Sequence, residues 1–177
     1  MVPRPLAPRY DKIQQVAKRF PQIDAPSLQT AVSLLRLSTS LNAALDGQYA
    51  RHGTARGRFH TLMLLSETEG QGLTPHELAE RVAVTRAAMT GLIDGLVEAG
   101  QCSREADALD RRTYRVHITS AGERFLKQML PDHFTRLGKL VGGLSLEEKR
   151  TLVKLLEKVG AALGAFDDEP APAAAAR

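Results

Sequence analysis

LTPHELAERVAVTRAAMTGLIDGLVEAG, residues 73–100, holds two helices together with the signals that start and stop them. Thr74-Pro75-His76-Glu77 opens the first. It offers a hydroxyl to cap, a proline where no N–H is needed, and a glutamate three residues after the cap to close a reciprocal capping box. Leu78, Ala79 and Val82 then share one face. Ala83-Val84 makes a short break and Thr85 is a second cap. Met89, Leu92, Ile93, Leu96 and Val97 recur at 3.6-residue spacing until Gly100 terminates the run. Two short helices joined by a tight turn are a helix-turn-helix.

Downstream the period changes to alternation. Gln101 to Glu105 and Thr113 to Thr119 read as strands, with Tyr114, Val116 and Ile118 on one face and Thr113, Arg115 and His117 on the other. The polar, charged segment Ala106 to Arg112 lies between them, so the hairpin has a basic tip and the whole reads as a winged helix. Ala121 to about Leu140 returns to helix, passing Pro131, and Leu146 to Phe166 follows with Ser145 as cap and Glu148 completing its box. Pro170 to Arg177 (PAPAAAAR) is a low-complexity tail expected to be disordered.

Upstream, three prolines in Met1 to Pro8 predict an extended arm. Tyr10 to Phe20 is a short amphipathic helix with Ile13, Val16, Ala17 and Phe20 on its inner face, stopped by Pro21. Asp24 caps a longer helix to about Tyr49. Leu28, Val32, Leu35 and Leu34, Leu37, Leu41, Leu45 give it two adjoining apolar stripes, more than one partner face can cover. After His52-Gly53-Thr54, Arg56 to Ser66 forms another helix with Phe59, Leu62, Met63 and Leu65 inward.

With 177 residues, 43% hydrophobic and only 5% aromatic, the chain suits one compact domain or an elongated one, its interior built of aliphatic side chains. The single cysteine, Cys102, cannot close an internal disulfide, and no ligand cluster pairs it with histidines for zinc; a buried structural thiol is expected. No cofactor is expected. The start has no signal-peptide core, and no stretch reaches the ~18 apolar residues of a membrane span, so a cytoplasmic protein is expected. Net charge is +4, concentrated at the front, where residues 1–60 carry nine Lys/Arg against three Asp/Glu. That balance suits an anionic partner such as nucleic acid without demanding one.

The run at 73–100, followed by READALDRRTYRVHITSAGERF at 104–125, closely resembles the multiple antibiotic resistance regulator (MarR) family over about residues 28 to 165. The matching residues are Leu78-Ala79-Glu80 on the supporting helix, Val84-Thr85-Arg86 at the start of the recognition helix, Asp107, Asp110 and Arg112 in the wing, and Thr119-x-x-Gly122. Leu109 stands where the family often has a basic residue, and Gly91 where an arginine is frequent. The resemblance implies a mainly α chain made of a winged helix-turn-helix lobe on an all-helical dimerisation body. It implies an arm at 1–8, dimerisation helices at 9–55, a DNA-binding domain at 56–120, further dimerisation helices at 121–166 and a tail at 167–177. An added N-terminal helix occurs in a subset of relatives. It further implies a homodimer that binds a palindromic operator, with recognition helices about one DNA turn (~10 base pairs) apart, and that represses until a small molecule binds.

Candidate DNA contacts follow from the chemistry of the start of the recognition helix. Thr85, Arg86, Ala87, Ala88 and Thr90 pair one bidentate donor to guanine with small side chains that permit close approach to thymine methyls or phosphates. At the wing, Arg111 and Arg112 could enter a minor groove while Asp110 orients one of them. For the effector, the resemblance points between the long helices and the DNA lobe. Arg36, Arg58 and His60 are the candidates there for holding a phenolic or aromatic carboxylate or its thioester. Two other classes remain: a constitutive architectural DNA-binding protein, and a helical enzyme or carrier for a small acid. The latter would need convergent acid–base groups that the sequence does not offer.

Overall fold

The computed structural model describes residues 10–20, 22, 24–107 and 114–164. The expected arm at 1–8, the hairpin tip with Asp110, Arg111 and Arg112, and the tail at 167–177 lie outside them. The order of elements is α1 (Tyr10–Arg19), α2 (Ala25–Arg51), α3 (Arg56–Ser66), α4 (Pro75–Val82), α5 (Arg86–Glu98), β1 (Cys102–Ala106), β2 (Tyr114–Ile118), α6 (Ser120–Leu140) and α7 (Leu146–Ala161). The fold is the mainly α winged helix that the sequence announces. The chain divides into two compact units, Met1–Met129 and Leu130–Arg177, and α6 runs from one into the other.

Local chemistry places most boundaries. Asp24 accepts from Ser27 N at 2.9 Å to start α2. Thr74 and Glu77 form the reciprocal box on α4, with Glu77 Oε2 accepting from Thr74 N at 2.8 Å. Ser145 and Glu148 repeat the arrangement on α7. The Thr74 backbone and side-chain hydrogen bonds hold the Glu77 carboxyl below its usual range. A carboxylate whose folded pKa is depressed stabilises above its unfolded value and loses that contribution as pH falls through the folded one. Glu77→Gln is therefore expected to cost about 1 kcal/mol near neutrality and progressively less as pH falls from the usual carboxylate range through the depressed folded value. Thermal unfolding across that range reads the difference, and an equal loss at both ends would contradict the charged cap.

In the first unit α3, α4, α5 and the hairpin close around Leu62, Leu78, Met89, Ile93, Leu96 and Val116, all fully buried. Two glycines let α3 and α5 approach. A Cβ on Gly57 would lie 2.8 Å from Leu92 Cδ1, and the space beside Gly95 is filled by the Arg58 guanidinium. Leu62 and Leu65 are inward as expected; Met63 is only half-buried, and Thr61 is the fully buried neighbour instead. Its hydroxyl donates to Gly57 O at 2.8 Å, which satisfies the polar atom inside the core.

The hairpin is antiparallel, with Cys102 opposite Ile118 and Ala106 opposite Tyr114. Leu73 adds a short third edge through paired hydrogen bonds with Val116, at 3.0 and 2.8 Å. This edge changes the expected polar face. Arg115 and His117 are half-buried, because the segment before Leu73 folds over them. Arg115 Nη1 donates to Gly72 O at 3.2 Å, and His117 Nδ1 lies 3.0 Å from Gly70 O. Gly72 adopts φ +65°, and a Cβ there would meet Val116 O at 2.7 Å, so only glycine fits.

Thr119 joins the wing to α6. Its hydroxyl donates to Gly100 O at 2.7 Å and accepts from Gly122 N at 3.2 Å. Gly122 passes so close to Gln101 that a Cβ would sit 2.3 Å from the Gln101 carbonyl oxygen. Thr119-x-x-Gly122 is thus a cap and a close approach in one motif. Cys102 is buried, and desolvation pushes its thiol up to about 12, the structural role expected of it.

Candidate nucleic-acid interface

The recognition helix α5 sorts its first turns cleanly. Thr85 caps it by accepting from Ala88 N at 3.2 Å, and Met89 turns inward with no exposure. Thr85, Arg86, Ala87, Ala88 and Thr90 are all exposed. Such a face, built of one arginine among small side chains, can enter a major groove without steric obstruction. Thr90 Oγ1 donates to Arg86 O at 3.1 Å, so its remaining lone pairs face outward as acceptors. Between α4 and α5 the tight turn is made by Ala83, a non-glycine residue in the left-handed region at φ 59° and ψ 50°.

Beside Arg86 lies a surface hollow of about 420 Å³, lined by Pro75, His76, Arg86, Thr90 and Tyr114. His76 and Tyr114 fall outside the set that the sequence singled out. His76 sits at the start of α4, and Tyr114 begins β2. Behind Tyr114 stands Arg104 of β1, its guanidinium carbon 5.1 Å from the ring centroid, and the same group pairs with Asp94 of α5. The hydrogen bond to Asp94 raises the Arg104 pKa further and ties the wing to the recognition helix. At the far end of β1, Asp107 is buried and bound to Arg115 Nε at 2.8 Å. Neither pair announces itself in the sequence: ten residues separate Asp94 from Arg104, and only the helix-to-strand crossing brings them together.

The three residues expected to hold an effector are not gathered in one place. Arg36 is exposed on α2. Thirteen residues separate it from Tyr49 on the same helix, about 20 Å at the helical rise. The His60 ring lies 6.3 Å from that of Tyr49, edge to face. Arg58 instead reaches across α3 onto Gly95 of α5. Burial of Tyr49 raises its phenol pKa and leaves it a neutral member of a cluster with Phe59, whose ring is 5.1 Å away.

Among the described residues no group of three or more His, Cys, Asp or Glu is arranged to hold a metal ion. Among them, too, no helix is long and apolar enough to cross a membrane.

Comparison with known proteins agrees with this geometry. The MarR family pattern matches residues 55–114, from the start of α3 to the first residue of β2. The HTH-type transcriptional repressor YetL of Bacillus subtilis is 37% identical over 161 residues, covering 91% of this chain and 96% of its own. A probable transcriptional regulator from Pseudomonas aeruginosa is 28% identical, with a TM-score of 0.62, over 71% of this chain and 93% of its own. Sco3205, a MarR family regulator of Streptomyces coelicolor solved in complex with DNA, shares the fold at a TM-score of 0.73 and 24% identity, over 80% of this chain and 89% of its own. Identity with a repressor along almost its entire length, joined to a capped helix-turn-helix and wing, shows that the chain belongs to the MarR family of winged-helix transcriptional regulators and is not an enzyme.

Proposed function

We propose that the chain represses transcription by binding a palindromic operator as a homodimer, and that a small anionic aromatic effector releases it. The observation that carries the DNA reading is the exposed start of α5, where Arg86 stands among Thr85, Ala87, Ala88 and Thr90 while Met89 anchors the helix inside. Arg86 supplies the bidentate donor for a guanine edge, and its neighbours let the backbone come near. From the sequence, Arg111 and Arg112 are the candidates for the adjacent minor groove, with Asp110 to orient one of them; all three lie outside the described residues. Arg86→Ala is expected to cost about 1–3 kcal/mol and to relax preference at one base position per half-site. Fluorescence anisotropy on singly substituted operators reads both effects. A loss equal on every duplex would remove the base-reading role.

The homodimer reading rests on apolar surface that a single chain leaves in water. No residue of α7 is buried, and Leu152, Leu155, Leu156, Val159 and Leu163 form one exposed stripe. Leu35 and Leu37 are likewise exposed on α2. A second copy related by a two-fold axis covers both sets. For the effector, Arg58 is the member of the trio with a direct route to DNA binding. An anion drawing its guanidinium away from Gly95 would alter the α3–α5 crossing on which the recognition helix rests. Arg36 and His60 would belong to that site only by contributing from separate places.

A further inference from the structure

We propose that the hollow beside Arg86 seats one backbone phosphate of the duplex, held by His76 and Tyr114, so that these two residues fix the register in which Arg86 reads a base. This rests on the DNA-binding reading above and adds a site to it. Of the five described residues that line the hollow, two are basic types, two carry hydroxyls and none is acidic. Pro75, one of the lining residues, has no N–H. The next amide, that of His76, lies in the first turn of α4, where no carbonyl of the helix can accept it, and it sits at the positive end of the helix dipole. Thr90 directs its hydroxyl hydrogen to Arg86 O, which leaves Tyr114 as the hydroxyl donor among the described residues of the lining.

Two further contacts hold the seat in shape. His76 Nε2 lies 3.4 Å from Glu80 Oε1, one turn along α4 and outside the lining, so the ring is held from behind. The Arg104 guanidinium lies over the Tyr114 ring and pairs with Asp94, which ties the phenol to α5. A phosphate here neighbours the Arg86 side chain without consuming it. Phosphate contacts position a protein on the duplex while base contacts specify, and this hollow puts one of each side by side.

The probe is a duplex of about 30 base pairs selected by the protein itself from a random library, with binding followed by anisotropy against salt concentration. His76→Ala and Tyr114→Phe are each expected to weaken binding about 5- to 10-fold, by the same factor on every singly substituted duplex, as loss of a phosphate contact requires. His76→Lys should restore affinity and give a salt dependence steeper by about one unit of slope than His76→Ala. Both positions are at the surface, and circular dichroism confirms that each variant is folded. Wild-type affinity in either folded variant, or a loss that depends on the base, overturns the seat while leaving DNA binding intact. Inorganic phosphate raising the melting temperature through His76, with duplex affinity indifferent to that residue, would assign the hollow to a free anion and overturn it as well. Selection of no duplex by the wild-type protein would instead overturn the DNA-binding reading, and the seat with it.

Discussion

Leu155→Glu and Val159→Glu, introduced together, are expected to leave the chain monomeric and to lower operator affinity by at least about 100-fold. The two positions lie one turn apart at the centre of the exposed α7 stripe, at 53% and 43% exposure. Burying an aliphatic side chain of this size contributes about 1.5–3 kcal/mol, so removing two from an interface forfeits about 3–6 kcal/mol before any cost of burying the carboxylates. Each 1.4 kcal/mol is about tenfold, which sets the expected loss of association. Operator affinity follows because two half-sites joined in one particle bind with the advantage of effective concentration, and separated lobes do not. Sedimentation velocity at about 10 μM measures the first effect and anisotropy the second. A double variant that still sediments as a dimer, or a monomeric wild-type protein, would remove α7 from the interface.

Gly122→Ala carries the second large effect. The added methyl would sit 2.3 Å from Gln101 O and 2.8 Å from Ile118 Cγ1. The oxygen is not free to retreat, because it also accepts from Thr119 N at 3.0 Å. Relief must come from moving the start of α6 or the entry to β1, and overpacking of this kind costs about 1–3 kcal/mol. For a chain of this length each 1 kcal/mol lowers the melting temperature by about 2–4 °C. Gly91→Ala is the matched control: it lies in α5 with nothing within 4 Å of the added carbon. Better helix propensity should leave it neutral or stabilising by up to about 1 kcal/mol. Thermal unfolding separates the two, and a Gly122→Ala protein that melts with the wild type would show that the wing junction yields easily.

The candidate site was legible in unequal parts. Thr85 to Thr90 could be read as a solvent-facing helix start because capping and helical period act within four residues, and burial of Met89 with exposure of its neighbours follows that period. His76 was visible only as the residue inside a capping box, and Tyr114 only as an alternating strand position. Their meeting beside Arg86 depends on how α4, α5 and β2 are packed. Arg36, Arg58 and His60 shared a plausible chemistry without sharing a place. Long side chains have several directions open to them, and the vacant space at Gly95 decided where Arg58 went.

The amino-acid sequence by itself determined the helices, their caps, the tight turn and the strand pair, because each depends on hydrogen bonds or periodicities that close within a few residues. It also determined that α2 carries more apolar surface than one partner face can cover. Only the tertiary structure decided the Asp94–Arg104 pair, the Arg115–Asp107 pair, the third edge at Leu73 and the close passage of Gly122 past Gln101. These contacts join residues whose separation in the chain carries no signal. They form where helix crossings, strand register and missing side chains leave room, and those distances exist only once the core around Leu62, Leu96 and Val116 has closed.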